Sequence, residues 1–304
     1  MAEGLMDVMK SNTLSFTNYP TRELTDFDLQ FIKSWIGEKS RFNDVDILKS
    51  RIEAIHKEIR SQVHVYSCIS SFSYLVPRAR LHPSYDSVVK AAVAVGPAYK
   101  ILDVGSCLGQ ETRALIVDGV HPSSIWTSDV HNEYWKAGIK VFMDDETRDD
   151  EEKLFSVSEV NEMWGDWTTP LTQKFVGELK NHFDAILCKN VLHALSLQQS
   201  ENLLTRLFKL LKNGGILFGT AVGRVSAREW VRSPTNSEQR WLFDQSSLET
   251  ALRNAGFSGE IIITATVEKI DYAESTAIRS KIALHPEYVE LMKDRRYLVF
   301  SACK

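Results

Sequence analysis

Residues Lys100–Arg113, with the sequence KILDVGSCLGQETR, decide the fold of this chain. The stretch begins as a short apolar strand, passes Asp103 into a turn bounded by Gly105 and Gly109, and continues as a helix. Glycine has no Cβ and tolerates positive φ, so such a turn lets the backbone come close to a ligand. The following helix directs its first N–H groups to the same place. The stretch therefore predicts a strand–turn–helix ligand site.

From this stretch onward, apolar strands alternate with amphipathic helices, which is typical of a parallel α/β sheet. We predict strands at residues 100–104, 124–128, 183–188, 216–220, 261–267 and 297–302, and helices at 109–118, 134–142, 200–211 and 245–255. The fold class is therefore α/β with a mostly parallel sheet.

The first hundred residues are helical and precede the sheet instead of alternating with it. Apolar residues at helical spacing predict helices from Thr21 to Trp35, with Thr25 as a candidate N-cap, and from Asp46 to Tyr66. A further helix is predicted at residues 84–95. Such a segment often covers the mouth of a downstream sheet, so we assign residues 1–97 to an N-terminal helical lid.

The second domain is predicted at residues 98–304, with an insertion around residues 144–162. Its acidic part, Asp144–Lys153, reads DDETRDDEEK. A charge run of this kind is typical of a solvated loop. We predict such a loop there and no metal site.

The composition is that of an ordinary soluble globular protein. Of 304 residues, 43% are hydrophobic and 25% are charged, and the formal net charge is −4. This acidic balance disfavours a nucleic-acid partner. No apolar run is long enough to cross a bilayer and the N-terminal stretch lacks a signal-peptide core, so we predict a cytoplasmic protein with no membrane partner.

The spacing of the cysteines also favours a cytoplasmic protein. Cys68, Cys107, Cys188 and Cys303 lie far apart, without a CxxC pair or a ligand-like spacing to histidine. This disfavours a zinc site and a disulfide scaffold. We expect reduced thiols, with Cys107 and Cys188 as small apolar fillers.

Two cofactor classes use a glycine turn followed by an acid after the next strand, dinucleotides and S-adenosylmethionine. Asp129 stands 26 residues after Asp103, and its carboxylate can bind a ribose diol in either class. The turn lacks the middle glycine of the dinucleotide pattern, since Cys107 stands between its two glycines. The negative charge of Asp103 opposes a pyrophosphate and favours a sulfonium or ammonium group. S-adenosylmethionine is the better fit.

Two later motifs agree with this interpretation. Trp164-Gly165-Asp166-Trp167 offers a carboxylate for an adenine amino group and an aromatic ring to cover the base. The strand that ends at Cys188 continues into Lys189 and Asn190, at the strand end where open α/β sheets bind ligands.

With this ordered set of motifs, the chain resembles the class I S-adenosylmethionine-dependent methyltransferases over about residues 100–221. A closer similarity, to fungal methyltransferases of polyketide and meroterpenoid pathways, covers about residues 62–257. It rests on HVYSCISSFSYLVPRARLHPSYDSVV at 64–89, on ILDVGSCLGQETRALIVDGV at 101–120 and on RWLFDQSSLETALRNAGF at 240–257.

The resemblance implies a Rossmann-like sheet with an antiparallel closing strand, S-adenosylmethionine as cofactor and a small-molecule natural product as partner, and it leaves a homodimer open. It also implies roles for individual residues. The methionine and ribose parts would be held by Asp103, Gly105, Ser106, Cys107, Gly109, Asp129 and Val130. Asp166 and Trp167 would lie at the adenine, Cys188, Lys189 and Asn190 would lie beneath the methyl donor, and Tyr66 of the lid would close over the cofactor.

The chain departs from these relatives at two places. Asp129 and Asp166 are 37 residues apart, about ten more than the resemblance leads us to expect, which agrees with an insertion. Asp244 stands where relatives often carry histidine, which puts a histidine-based role there in doubt.

The catalytic candidate is His193, five residues after Cys188. Its imidazole could remove a proton from a substrate hydroxyl, or it could simply cap the next helix. Arg78, Arg80 and Arg240 could form an anion site if the lid folds back over the domain.

Three functional hypotheses follow. The first is O-methylation of a carboxylate, enol or hydroxyl on a small apolar polyketide or meroterpenoid intermediate. The second keeps the cofactor as a fixed positive charge for a cyclisation or isomerisation. The third is a non-catalytic, methyltransferase-like regulator.

Overall fold

The computed structural model describes residues 24–37, 44–62, 67–70, 72–145, 156–169, 173–233, 236–266 and 294–304. The chain divides into two compact units. The described residues of the N-terminal unit lie within Thr21–Asp166, and those of the C-terminal unit lie within Trp167–Lys304.

The N-terminal unit begins with helices and continues as a small parallel sheet. Its elements are α1 (Asp26–Ile36), α2 (Val45–Gln62), α3 (Ser67–Ser70), α4 (Tyr85–Val95), β1 (Ile101–Val104), α5 (Gln110–Val117), β2 (Ile125–Ser128), α6 (Asn132–Phe142) and β3 (Asn161–Glu162). The strands lie in the order β3-β2-β1 and both pairs are parallel. All four residues of β1 are buried, which agrees with the apolar side chains of Ile101, Leu102 and Val104 and makes the buried Asp103 the exception.

The C-terminal unit carries the remaining strands. Its elements are α7 (Gln173–Glu178), β4 (Phe183–Lys189), α8 (Leu197–Leu210), β5 (Leu211–Arg224), β6 (Arg228–Ser233), β7 (Asn236–Leu242), α9 (Gln245–Ala255), β8 (Ile261–Thr266) and β9 (Arg295–Cys303). Strand β5 is parallel to β4, β9 is antiparallel to both β5 and β8, and β6 and β7 form an antiparallel hairpin.

Side-chain caps mark the starts of three helices. The Thr25 backbone N–H donates to Asp28 Oδ2 at 2.9 Å before α1, as the sequence predicts for Thr25. Ser196 accepts from Gln199 N at 3.2 Å before α8. Asp244 accepts from Ser247 N at 2.7 Å before α9. Asp244, which stands where relatives often carry histidine, therefore has a structural role as an N-cap.

The predicted fold class is confirmed. The chain is an α/β protein with a Rossmann-like, mostly parallel sheet and an antiparallel closing strand. The sequence did not indicate β3, the hairpin β6–β7 or the extension of β5 as far as Arg224. Among the described residues, no helix combines the length and the apolarity that crossing a bilayer requires.

The prediction of a solvated loop at residues 144–153 is wrong at its first residue. The Asp144 side chain is only 6% exposed, and its carboxylate pairs with Arg113 and accepts from Trp35 Nε1 at 2.9 Å. The Asp144 carboxylate lies in the core because the buried guanidinium of Arg113 would destabilise the fold without a paired negative charge. Residues 146–153 of the predicted loop lie outside the described residues.

Candidate cofactor and active site

The glycine turn between β1 and α5 is held against the end of β2. Gly105, Cys107 and Gly109 all have positive φ, at 70°, 54° and 80°. The N–H groups of Gly105 and Ser106 both donate to Ser128 O, at 2.8 and 3.0 Å. These two donors are therefore used within the protein, and they fix the turn relative to the strand that precedes Asp129.

Asp129 is the side chain that the turn itself holds. Its Oδ2 accepts from Cys107 N at 2.9 Å and its Oδ1 accepts from His131 N at 3.2 Å. Burial raises the pKa of this carboxyl, and the backbone N–H groups of Cys107 and His131 partly oppose that effect. A carboxylate has about four acceptor positions, so each oxygen keeps capacity for another donor. The adjacent Val130 is exposed.

Gly109 makes room for protein side chains. A Cβ at this position would lie 2.4 Å from Trp135 Cζ3 and 2.6 Å from Arg113 Nη1. The Cβ side of Gly109 therefore faces the interior of the unit, and cofactor binding by this glycine stays a prediction.

Arg113 is the centre of that interior. Its side chain is fully buried, and Nη1 donates to Leu108 O at 2.7 Å and to Gly109 O at 3.0 Å. The guanidinium carbon lies 5.0 Å from the Trp135 ring centroid, and the charge is paired with Asp144. One buried cation thus holds two carbonyls of the turn in place.

Three polar side chains lie on β1, the turn and the start of α5. Asp103 is 1% exposed and accepts from Thr112 Oγ1 at 2.9 Å. Ser106 Oγ and Gln110 Oε1 are buried and have no hydrogen-bond partner within the described part of the chain. Buried oxygens without partners are uncommon in native structures, so they mark places where a ligand could donate. Sequence reasoning missed Gln110, although its place as the first residue of α5 was available as a signal.

The thiol of Cys107 contacts the N-terminal helices at Cys68. A hydrogen bond with the Cys68 thiol of α3, followed by burial, raises the pKa of Cys107 well above its usual value. A thiol of this kind stays protonated at neutral pH, which fits the predicted role as a filler and not as a nucleophile. Tyr66, which directly precedes α3, lies outside the described residues.

The segment before α4 is tied to α5 by charged groups. Glu111 accepts from Arg78 N at 3.0 Å and from Ala79 N at 2.9 Å. Arg80 makes a two-point ion pair with Asp118, at 2.8 and 2.7 Å. Arg80 is therefore engaged by α5, and the proposed anion site of Arg78, Arg80 and Arg240 has no support within the N-terminal unit.

The Gly165-Asp166 motif lies next to Asp129. The backbone N–H of Gly165 donates to Asp129 O at 3.0 Å, and Met163 N donates to Thr127 O at 2.9 Å. The structure thus brings Asp166 into the same unit as the turn and Asp129. Trp167 begins the C-terminal unit, where its ring is buried and its carbonyl accepts from Arg206.

The other predicted site residues gather at the end of β4. Cys188 is fully buried, and Asn190 has a positive φ of 58°. Asn190 N donates to Thr220 O at 2.7 Å, and Thr220 Oγ1 lies 3.2 Å from Asn190 Oδ1. Lys189 is the last residue of β4, so its side chain starts at the same strand end.

His193 lies beside the neighbouring strand. Val222 N of β5 points at His193 Nδ1 over 3.4 Å, and Trp241 N of β7 donates to Leu195 O at 2.7 Å. The segment that carries His193 is thus placed between β5 and the hairpin. An N–H directed at Nδ1 favours the neutral tautomer with its proton on Nε2.

Comparisons with known proteins agree with this architecture. A family model described as "Protein of unknown function (DUF938)" matches residues 80–223. The chain is 25% identical over 168 residues to O-methyltransferase phiE of Fungal sp. (strain ATCC 74256), covering 55% of this chain and 52% of that protein. It is 25% identical over 213 residues to O-methyltransferase atr3 of Stereocaulon alpinum, covering 69% of this chain and 58% of that protein. The chain thus spans little more than half the length of these relatives.

One solved structure supports the fold. Haemonchus contortus phosphoethanolamine N-methyltransferase 2, in complex with S-adenosyl-L-methionine, superposes with a TM-score of 0.51 at 13% identity, covering 86% of this chain and 59% of that chain. The ordered sequence motifs and the similar fungal methyltransferases support a class I S-adenosylmethionine-dependent methyltransferase, and the solved structure agrees with its fold.

Proposed function

We propose that the chain is an S-adenosylmethionine-dependent methyltransferase that methylates an oxygen of a small, largely apolar secondary metabolite, such as a polyketide or meroterpenoid intermediate. The observation that carries the proposal is the position of Asp129. Its carboxylate is held at the glycine turn by Cys107 N and His131 N, and both oxygens keep acceptor capacity for the hydroxyls of a ribose.

The polar groups around the turn fit this cofactor. Ser106 Oγ and Gln110 Oε1 can accept from the methionine ammonium, and Asp103 adds negative charge to the same strand end. Asp166 and Trp167 are assigned to the adenine, and Cys188 to Asn190 to the methyl donor. When bound, the cofactor supplies an electrophilic methyl group on a sulfonium.

An acceptor that needs no general base fits the surroundings of His193. With its proton on Nε2 and Val222 N at Nδ1, the neutral imidazole has little capacity to take a substrate proton. A carboxylate acceptor is already a nucleophile at neutral pH. The chain then contributes alignment and exclusion of water, and His193 positions the acceptor by donating from Nε2. The O-methyltransferase names of phiE and atr3 support oxygen as the acceptor atom.

The test combines calorimetry with product mass. We expect the full chain to bind S-adenosylmethionine, and Asp129→Asn to weaken that binding by about tenfold to a hundredfold through loss of charge-assisted hydrogen bonds. Incubation with aromatic and terpenoid acids should give products heavier by one CH₂. A product with unchanged mass would favour the cyclisation or isomerisation hypothesis. Absence of cofactor binding would contradict the proposal and favour a non-catalytic role.

A further inference from the structure

The C-terminal unit has an arginine-rich face that the cofactor site does not use. Arg224 ends β5 with its side chain only 4% exposed, and Arg228 begins β6 with its side chain 47% exposed. Both guanidinium groups approach the same oxygen, Asp294 Oδ2, at 3.6 and 3.9 Å. One half-exposed carboxylate is therefore shared between two cations.

Two further arginines belong to this group. Arg295 of β9 lies directly opposite Arg224 in the antiparallel register of β5 and β9. Arg240 of β7 is 9% exposed and pairs with residue 230, while Arg228 pairs with Leu242. Arg240 and Arg228 are therefore diagonal neighbours on one face of the hairpin, within reach of long side chains. We call Arg224, Arg228, Arg240 and Arg295 the arginine cluster.

Three of these cations, Arg224, Arg228 and Arg295, also affect one another electrostatically. Burial lowers the pKa of Arg224, and the positive charges of Arg228 and Arg295 lower it further, against the opposing effect of Asp294. Guanidinium groups that lie near one point attract an anion. Such planar guanidinium groups match the geometry of a carboxylate.

One member of the arginine cluster, Arg224, lies on β5, the strand that also borders the candidate active site. Side chains two residues apart on a strand share a face, so Thr220, Val222 and Arg224 share one face of β5. Thr220 contacts Asn190, and Val222 N points at His193. Arg224 lies four residues beyond Thr220, or about 13 Å at the rise of a strand. That separation suits a small molecule with one end at Asn190 and the other at the arginine cluster.

We propose that the arginine cluster is the anion-binding part of the acceptor site, and that the acceptor carries a carboxylate held there while its other end lies near Asn190 and His193. The inference rests on the proposed function and names the substrate class, an apolar molecule that carries a carboxylate remote from the reacting oxygen.

The test uses a fluorescent pair that differs in charge. The anionic probe is 8-anilinonaphthalene-1-sulfonate, and N-phenyl-1-naphthylamine has the same ring system without the sulfonate. We expect Arg224→Gln and Arg228→Gln to raise the Kd of the anionic probe by about tenfold or more, since each removes a charge-assisted contact. The Kd of the neutral probe should change less than twofold. Lys180→Gln removes an exposed cation of the same unit and should change neither value.

Several outcomes would overturn the inference. One is the absence of saturable binding of the anionic probe to the wild-type chain, and another is an unchanged Kd in both arginine variants. If Arg224→Gln does not fold, the half-exposed Arg228 decides, with Arg228→Lys expected to restore part of the affinity. The arginine variants could also lose affinity for S-adenosylmethionine by the same factor as for the anionic probe. In that case the cluster binds the cofactor carboxylate and the substrate assignment is wrong. Failure of the proposed function would appear separately, as no cofactor binding to the wild type.

Discussion

The glycine turn of the N-terminal unit and the hairpin β6–β7 of the C-terminal unit are stabilised in different ways. The turn is built around a buried cation, because Arg113 binds the carbonyls of Leu108 and Gly109 and is paired with Asp144. The hairpin is held by its own strand pairing and by backbone contacts at its edges, such as Trp241 N to Leu195 O. We therefore expect substitutions at the turn to cost much more stability than substitutions at the hairpin.

The largest effect is expected for Arg113→Met. The variant keeps the apolar contacts with Trp135 and leaves the buried Asp144 carboxylate without its cation, which costs about 3–5 kcal/mol of unfolding free energy. Denaturation followed by tryptophan fluorescence measures the loss. Lys140→Met breaks the exposed pair with Glu58 and should cost less than about 1 kcal/mol. Equal effects of the two substitutions would contradict the central place of Arg113.

Alanine substitutions at two glycines distinguish the stability cost of a packing clash from the cost of backbone strain. Gly109 has φ 80° and its Cβ position is filled by Trp135, whereas Gly214 has φ 77° and open space around it. Alanine at position 109 should cost about 2–4 kcal/mol from both causes, and alanine at position 214 about 1–2 kcal/mol from the backbone alone. Thermal unfolding of both variants tests the difference. If Gly214→Ala is as harmful as Gly109→Ala, Trp135 is not the cause.

The sequence predicted the turn better than its surroundings for a physical reason. Strand, glycines and helix follow one another within Lys100–Arg113, so their signals are local. The partner of Arg113, Asp144, comes from 31 residues downstream and sits within a charged run that resembles a loop. The hairpin depends on pairing between two segments with little hydrophobic alternation, and the two-residue strand β3 is too short to leave a pattern.

The candidate site also contains residues with local sequence signals and residues that meet only through long-range contacts. Gly105, Asp129 and Asp166 could be chosen because each follows a recognisable strand or stands in a short motif. The arginine cluster could not be predicted, since its members belong to β5, β6, β7 and β9 and meet only through strand register. Long-range register depends on tertiary packing, which a single sequence does not display.

His56 tests how a buried polar group affects the N-terminal unit. The residue is 4% exposed, its ring centroid lies 4.1 Å from that of Phe72 with the two rings tilted by 31°, and its Nδ1 lies 3.2 Å from Tyr74 OH. Burial, with a smaller contribution from Arg60, lowers the pKa of His56 from 6.5 to about 4. As pH falls from 6.5 toward 4, His56 takes up a proton in the unfolded chain but not in the folded chain. The free energy of unfolding therefore falls.

We therefore expect Tm to decline less between pH 7 and pH 5 in His56→Gln than in the wild type. Over this range, proton uptake by His56 in the unfolded chain lowers the unfolding free energy by about 1–2 kcal/mol. His121, whose ring is 44% exposed, provides the matched control, and His121→Gln should leave the slope unchanged. Equal slopes for wild type and His56→Gln would show that the acid sensitivity comes from other groups.

The smallest effect is expected at the end of the hairpin, for Asp244→Ala. Asp244 caps α9 through Ser247 N and accepts from Ala227 N at 2.9 Å, and these backbone bonds lower its pKa to about 2 despite an opposing effect of burial. Because the folded pKa lies below the unfolded value, the stabilisation is present above about pH 4 and is lost as pH falls toward 2. We expect a loss of about 1 kcal/mol at pH 7, typical of an N-cap. Asp244→Asn keeps a capping oxygen and should recover part of that loss in thermal unfolding. A loss at Asp244 as large as that at Arg113 would mean that the hairpin, like the turn, depends on a single charged side chain.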